Sequence, residues 1–294
     1  MRFRLILVLV AVVGGACGQP TPSPSAATVV PYVVSSQTVV GPNRFLFSFL
    51  DKSGNTPVAA PDRTASVAFI PKGSTQPVAT GNGRFIWGIE GVRGIYVTSV
   101  TLPSAGDYTA RFTTEAPNRP PETIDMQVQV LDKATGITVG DKAPASRTLT
   151  LKDVGGNVKA ISSDKSPVER FYTTSVADAV AAKKPFVLAF ATPAFCQTQQ
   201  CGPTLDHVKN VAARYPDLTF INVEPYQLTM KDGTLQPVLS GDNQLQPVPA
   251  VSEWGIVSEP WIFVVDKEGV VRGSFEGILA EDELSASIDS VLKD

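Results

Sequence analysis

Two of the three cysteines in this 294-residue chain, Cys196 and Cys201, enclose four uncharged polar residues, Gln197-Thr198-Gln199-Gln200. A thiol pair at short spacing supports three chemistries: electron exchange with another disulfide, a permanent cross-link, or capture of a soft metal ion. His207, the only histidine, follows closely enough to complete a set of two sulfurs and one imidazole that would suit Cu(I). One turn into a helix, however, a histidine is more often a surface or half-buried residue than a ligand. Geometry constrains the pair further. On a regular helix, positions five apart sit about 140° round the axis with Cα atoms about 8–9 Å apart, beyond disulfide reach. The segment therefore cannot be continuous helix if the two sulfurs bond. Gly202-Pro203 offers a way out, because proline suits the first turn of a helix and would start one just after Cys201. Cys196 to Cys201 is then a loop that can close, at a helix N-terminus where unpaired N–H groups and the helix dipole favour thiolate.

The elements that must hold this loop are legible on both sides of it. Phe186-Val187-Leu188-Ala189-Phe190-Ala191 is a continuous apolar run, as expected of a strand buried on both faces, and it delivers the chain to Cys196. Ahead of it, residues 175–183 are rich in helix formers behind a Ser175 N-cap, and Pro185 ends them. A second helix is predicted from Thr204 to about Tyr215, with Leu205, Val208 and Val211 at helical spacing, and a buried strand over 218–223. Residues 227–249 are polar and rich in glycine and proline, predicting an inserted hairpin or lid. Residues 261–266, the turn Lys267-Glu268-Gly269 and residues 270–275 predict a strand hairpin, and 281–292 a closing amphipathic helix. The alternation of helix and strand begins near Gly140-Asp141-Lys142-Ala143-Pro144 and predicts an α/β domain.

This order resembles the thioredoxin-like family over residues 140–294. The resemblance rests on Phe190-Ala191-Thr192-Pro193-Ala194-Phe195-Cys196, on Glu259-Pro260 and on Phe275-Glu276-Gly277. It implies that Cys196 is the attacking nucleophile, Cys201 the resolving thiol, and Pro260 a cis-proline beside the sulfurs that presents backbone to an extended substrate. Members of that family usually separate their cysteines by two residues, against four here. Their buried acid falls near Ala189, so Glu259, next to the proline, is the carboxylate candidate. The run Cys201-Gly202-Pro203-Thr204-Leu205 is also similar to the cysteine-proline-leucine run of Sco-type copper chaperones, which implies copper on Cys196, Cys201 and a histidine. The expected activity is thiol–disulfide exchange with exported proteins. The alternatives are a non-catalytic binding module with a structural disulfide, and a copper-handling protein.

The rest of the chain sets the compartment. Arg2 and Arg4 precede an apolar run over 5–13 that is too short to span a bilayer, which predicts a signal peptide. Gly14-Gly15-Ala16-Cys17 resembles the lipobox at which bacterial lipoproteins are cleaved and acylated, and this implies lipidation of Cys17 within a 1–17 leader. Residues 18–29, with Pro20, Pro22, Ser23, Pro24 and Ser25, read as a tether holding the folded part on the outer, extracytoplasmic face of the cell membrane. Over residues 30–135 apolar positions alternate, as in Phe45, Phe47 and Phe49, in Tyr108, Ala110 and Phe112, and in Met126, Val128 and Val130. Turn residues separate these runs and predict an all-β sandwich of immunoglobulin-like size. Gly106-Asp107-Tyr108 resembles the tyrosine corner of immunoglobulin-like domains. With 25 basic residues against 28 acidic ones the net charge is -3, which offers no basic excess for nucleic acid.

Overall fold

The computed structural model describes residues 27–293. Cys17, the leader and the tether up to residue 26 lie outside the described residues. Alternation of large apolar residues makes half-buried strands, and the first half consists of eight of them. These are β1 (Val29–Val33), β2 (Gly41–Asp51), β3 (Thr64–Pro71), β4 (Ala79–Asn82), β5 (Arg84–Ile89), β6 (Arg93–Leu102), β7 (Gly106–Glu115) and β8 (Glu122–Val130). They form two antiparallel sheets, ordered β1-β2-β6-β5 and β4-β3-β7-β8. Phe45, Phe47 and Phe49 of β2 meet Phe69 and Phe112 of the facing sheet in one buried core. The Phe45 and Phe69 rings lie 5.0 Å apart edge to face, a preferred aromatic geometry. Tyr108 is buried as well, and its hydroxyl donates to the Ser104 carbonyl at 2.9 Å, tying the strand to the turn before it.

The second half is organised round a mixed four-stranded sheet. Its elements are α1 (Val176–Ala182), β9 (Phe186–Phe190), α2 (Cys201–Ala212), β10 (Thr219–Val223), β11 (Leu228–Lys231), β12 (Thr234–Pro237), α3 (Pro249–Trp254), β13 (Trp261–Val265), β14 (Val271–Glu276) and α4 (Glu281–Lys293). The sheet order is β10-β9-β13-β14, with β9 and β10 parallel and the other pairs antiparallel. β9 is central, and its alternate residues bury into two different cores. Val187 and Ala189 face α2 and α4, while Phe186, Leu188 and Phe190 face α1 and α3. That two-sided burial is why the strand is apolar throughout. The inserted segment forms the separate hairpin β11–β12. Ser175 caps α1 by accepting from the Asp178 N–H, as a serine at that position should. The chain as described is rich in β structure, with fourteen strands against four α-helices.

Three features depart from the sequence expectation. α2 begins at Cys201 itself, not after it. The short helix α3 was not anticipated, although Pro249 at its first position and left-handed Gly255 at its end are ordinary helix punctuation. Finally, β2 does not alternate between core and solvent, because every residue from Phe45 to Phe49 is buried.

The reason for the last departure is that the outer face of the β1-β2-β6-β5 sheet is covered by the second half. Leu46, Ile86, Ile95 and Val97 pack with Ile278 in a distinct apolar cluster. Beside it the Arg44 guanidinium makes two 2.9 Å bonds to the Glu283 carboxylate and a further one of 2.8 Å to the Ile278 carbonyl. Arg84 pairs with Asp282 at 2.8 Å. At Gly88 a Cβ would stand 2.3 Å from Ile278 Cδ1 and 2.9 Å from Gln200 Oε1, so any larger residue where β5 meets the loop beside Cys201 must push these two buried side-chain ends aside.

Candidate functional site

β9 ends at Phe190, and the chain turns through Thr192 to Phe195, whose N–H bonds the Thr192 carbonyl at 3.2 Å. Residues 196–200 then form an irregular loop, with Gln199 in the left-handed region at φ 61, and α2 starts at Cys201. This places both thiols where the sequence predicts them, at a helix N-terminus with a non-helical connection. The N-cap residue Gln200 supplies no side-chain cap. Its place is taken by sulfur: Cys196 Sγ accepts from the Cys201 N–H at 3.2 Å.

The two cysteines differ in exposure. Cys201 is fully buried, while Cys196 is half-buried and open to a partner. A hydrogen bond from the Cys201 thiol, outweighing the cost of burial and helped by Thr198 and the Cys201 N–H, lowers Cys196 to about 5. The same bond, with burial, pushes the Cys201 thiol well above the ordinary cysteine range. One thiolate and one thiol are thus the stable combination near neutral pH, with the charge on the accessible sulfur. The Thr198 hydroxyl lies 3.3 Å from Cys196 Sγ and 3.1 Å from the Glu259 carbonyl, and its single proton serves one of the two at a time.

Glu259 and Pro260 arrive from the opposite side, on the segment leading into β13. Their peptide bond is cis, and the Pro260 carbonyl accepts from the Gly277 N–H at 2.8 Å. Glu259 Oε1 sits 3.4 Å from the Gln197 N–H. Its carboxylate oxygen and the two cysteine sulfurs all lie within 4.8 Å of one another. Burial raises the Glu259 carboxyl above its usual range, against hydrogen bonds from the Tyr226 hydroxyl and the Gln197 N–H. Tyr226, in turn, is pushed up by burial and by the nearby Glu259 charge.

His207 does not join this group. Its Nδ1 lies 3.5 Å from Glu281, on the flank where α2 packs against α4. The three-donor set of Cys196, Cys201 and His207 is therefore corrected: the third potential ligand beside the sulfurs is Glu259, because a residue six positions into α2 is carried away from the helix start.

The sequence reading also missed an acid. Glu224, immediately after β10, is 7% exposed, and burial raises it to about 7 despite hydrogen bonds from Thr192 and Ser163. The position near Ala189 indeed holds no carboxylate, yet the neighbouring strand supplies one to the same end of the sheet. The available signal was an acid closing a buried strand and followed at once by Pro225. Glu224 lines a cleft of about 350 Å³ together with Tyr172, Asn222 and Tyr226.

No family model matches the chain, and no curated protein matches it. Among solved structures, the chain is similar to a DUF4426 family protein from Pseudomonas aeruginosa, at 10% identity and a TM-score of 0.24, over 32% of this chain and 68% of that one.

Proposed function

We propose that this chain is a lipid-anchored, extracytoplasmic thiol–disulfide oxidoreductase, in which residues 140–294 form a thioredoxin-like domain and residues 30–135 an immunoglobulin-like sandwich that braces it. The observation that carries the reading is the accessible Cys196 sulfur seated on the first N–H of α2, above a buried Cys201 thiol. The sheet order, with β9 and β10 parallel at one edge and the other pairs antiparallel, and the cis Glu259–Pro260 bond facing the sulfurs, support it.

The chemistry follows from the asymmetry of the pair. The Cys196 thiolate attacks one sulfur of a disulfide in an exported protein. The partner's S–S bond breaks, a mixed disulfide forms, and one partner sulfur leaves as thiolate. Cys201 then loses its proton to the Glu259 carboxylate, within 4.8 Å, and its sulfur attacks Cys196 Sγ. The mixed disulfide breaks, the Cys196–Cys201 bond forms, and the second partner sulfur is released. Two electrons pass from the cysteine pair to the partner, and the reverse sequence passes two back. Membrane attachment rests on the apolar leader and on acylation of Cys17, after the pattern of residues 14–17.

Equilibration of the soluble portion with glutathione or dithiothreitol, followed by thiol trapping, tests the reading. A Cys196/Cys201 potential between about -120 and -270 mV is expected of a working exchange pair. A bond still oxidised below about -300 mV would make it a permanent cross-link and end the enzymatic reading.

A further inference from the structure

We infer that Glu276 is a positioning residue for the resolving step: its carboxylate grips residues 258–260 and so holds Glu259 against the cysteine loop, while the sandwich holds the carboxylate. The inference rests on the redox reading, and it makes the first half of the chain part of the redox site.

The segment that carries Glu259 has little of its own to fix it. Between the end of α3 at Trp254 and the start of β13 at Trp261 the chain lies outside helix and strand. Its anchors come from the end of β14. Trp261 pairs with Glu276 across the two strands, and the Pro260 carbonyl accepts from the Gly277 N–H at 2.8 Å. Both of these act after Glu259 in the chain. Ahead of it, the Ser258 hydroxyl donates to Glu276 Oε1 at 2.7 Å, a bond strengthened by the charge of its acceptor. Glu259 is thus clamped on either side, and it carries the contact with the cysteine loop. Its carbonyl accepts from the Thr198 hydroxyl at 3.1 Å and its Oε1 from the Gln197 N–H at 3.4 Å.

Glu276 is fixed in turn from the sandwich. Both of its carboxylate oxygens lie 3.0 Å from the Ser36 backbone nitrogen, in the connection between β1 and β2, whose N–H they share. The Arg44 guanidinium donates to the Glu276 carbonyl at 3.2 Å. One residue further on, the Gly277 carbonyl accepts from the Thr204 hydroxyl at 3.3 Å, on the helix that begins at Cys201. The sandwich, the cis-proline segment and the cysteine helix therefore meet at Glu276-Gly277, and the placing of Glu259 relative to Cys201 is set there.

Stopped-flow reaction of the reduced chain with one equivalent of a small aromatic disulfide tests this, because it separates the two steps. Attack by Cys196 releases the first aromatic thiolate; attack by Cys201 on the mixed disulfide releases the second and leaves the Cys196–Cys201 bond. Misplacing a reacting group by about 1 Å can cost about 100-fold, so Glu276→Ala and Ser258→Ala should each slow the second release by about tenfold or more and keep the first within about twofold. Glu276→Gln keeps an oxygen that accepts from both donors, and should restore the second release to within about threefold of the wild type. Ser36→Pro, which lacks the N–H, should slow the second release alone. Asp282→Asn, which removes an ion pair of the joint away from Glu276, should change neither. A second release unchanged in Glu276→Ala and Ser258→Ala would overturn the inference and leave the redox reading standing, and equal slowing of both releases would mark a general loss of structure and overturn it as well. A wild-type chain that gives no second release would end the redox reading and this inference with it.

Discussion

The acidity of Cys196 has a kinetic consequence that differs from the usual picture of an activated thiol. Held at about 5 by the Cys201 S–H and N–H, Cys196 is about 99% thiolate at pH 7, where an ordinary thiol near 8.5 is about 3% ionised. That is about a 30-fold gain in reactive species. Intrinsic nucleophilicity falls with acidity, however, and a slope of about 0.45 over about 3.5 units removes about 40-fold. The two effects nearly cancel at neutral pH, so Cys196 should attack no faster there than a free cysteine. At pH 5.5 the thiolate ratio is several hundred-fold, and a net advantage of about 20-fold remains. Stopped-flow reaction of the reduced chain with a small aromatic disulfide, followed from pH 4 to 9, reads this directly. The expected profile is flat above about pH 6 and half-maximal near pH 5. Cys201→Ala should move the midpoint upward by at least one unit, and Cys201→Ser, which keeps an O–H donor, should move it less. A rate that climbs tenfold per unit through pH 7 to 8.5 would refute the assignment of the thiolate to Cys196.

Two further expectations concern the joint between the halves. Arg44→Ala leaves Glu283 largely buried beside an empty place, and should cost about 2–4 kcal/mol, read as a melting temperature lower by about 5–10 °C; a change under about 1 °C would mean the pair is screened by solvent. Gly88→Val drives a Cβ into Ile278 and Gln200, and should open the joint enough to speed limited proteolysis of the connection near residues 131–140, while an unchanged cleavage rate would show that the contact yields without cost.

What the sequence disclosed, and what it withheld, follows from the range of each interaction. The paired core of the first half was legible because Phe45, Phe47 and Phe49 announce a strand face by their own spacing. The burial of Leu46 between them was not, since it depends on Ile278, more than two hundred residues away. The central strand β9 was legible as two-sided because both its faces are apolar. The single turns of 3-10 helix at Leu151–Val154, Val158–Ala160 and Glu169–Tyr172 carry no apolar period and were invisible. At the site, the cysteine loop and Glu259-Pro260 were found from residue types alone. Glu224 was missed because its burial comes from residues distant in sequence, and an acid between a strand and Pro225 marks it only faintly; His207, near Cys201 in sequence, is carried away from it by the turns of α2.

The joint between the halves also bears on how the chain is made. Leu46, Ile86, Ile95 and Val97 are all synthesised before the residue that covers them, Ile278. At about 5–20 residues per second, the sandwich waits about 10–40 s with this patch bare. Through that interval the outer face of β2 is an apolar sheet surface in search of a neighbour, which is the condition under which nascent β domains stick to one another. A newborn first half would therefore need either a holding chaperone or export in an unfolded state, and the last strand and helix of the chain act as the cover that ends the need.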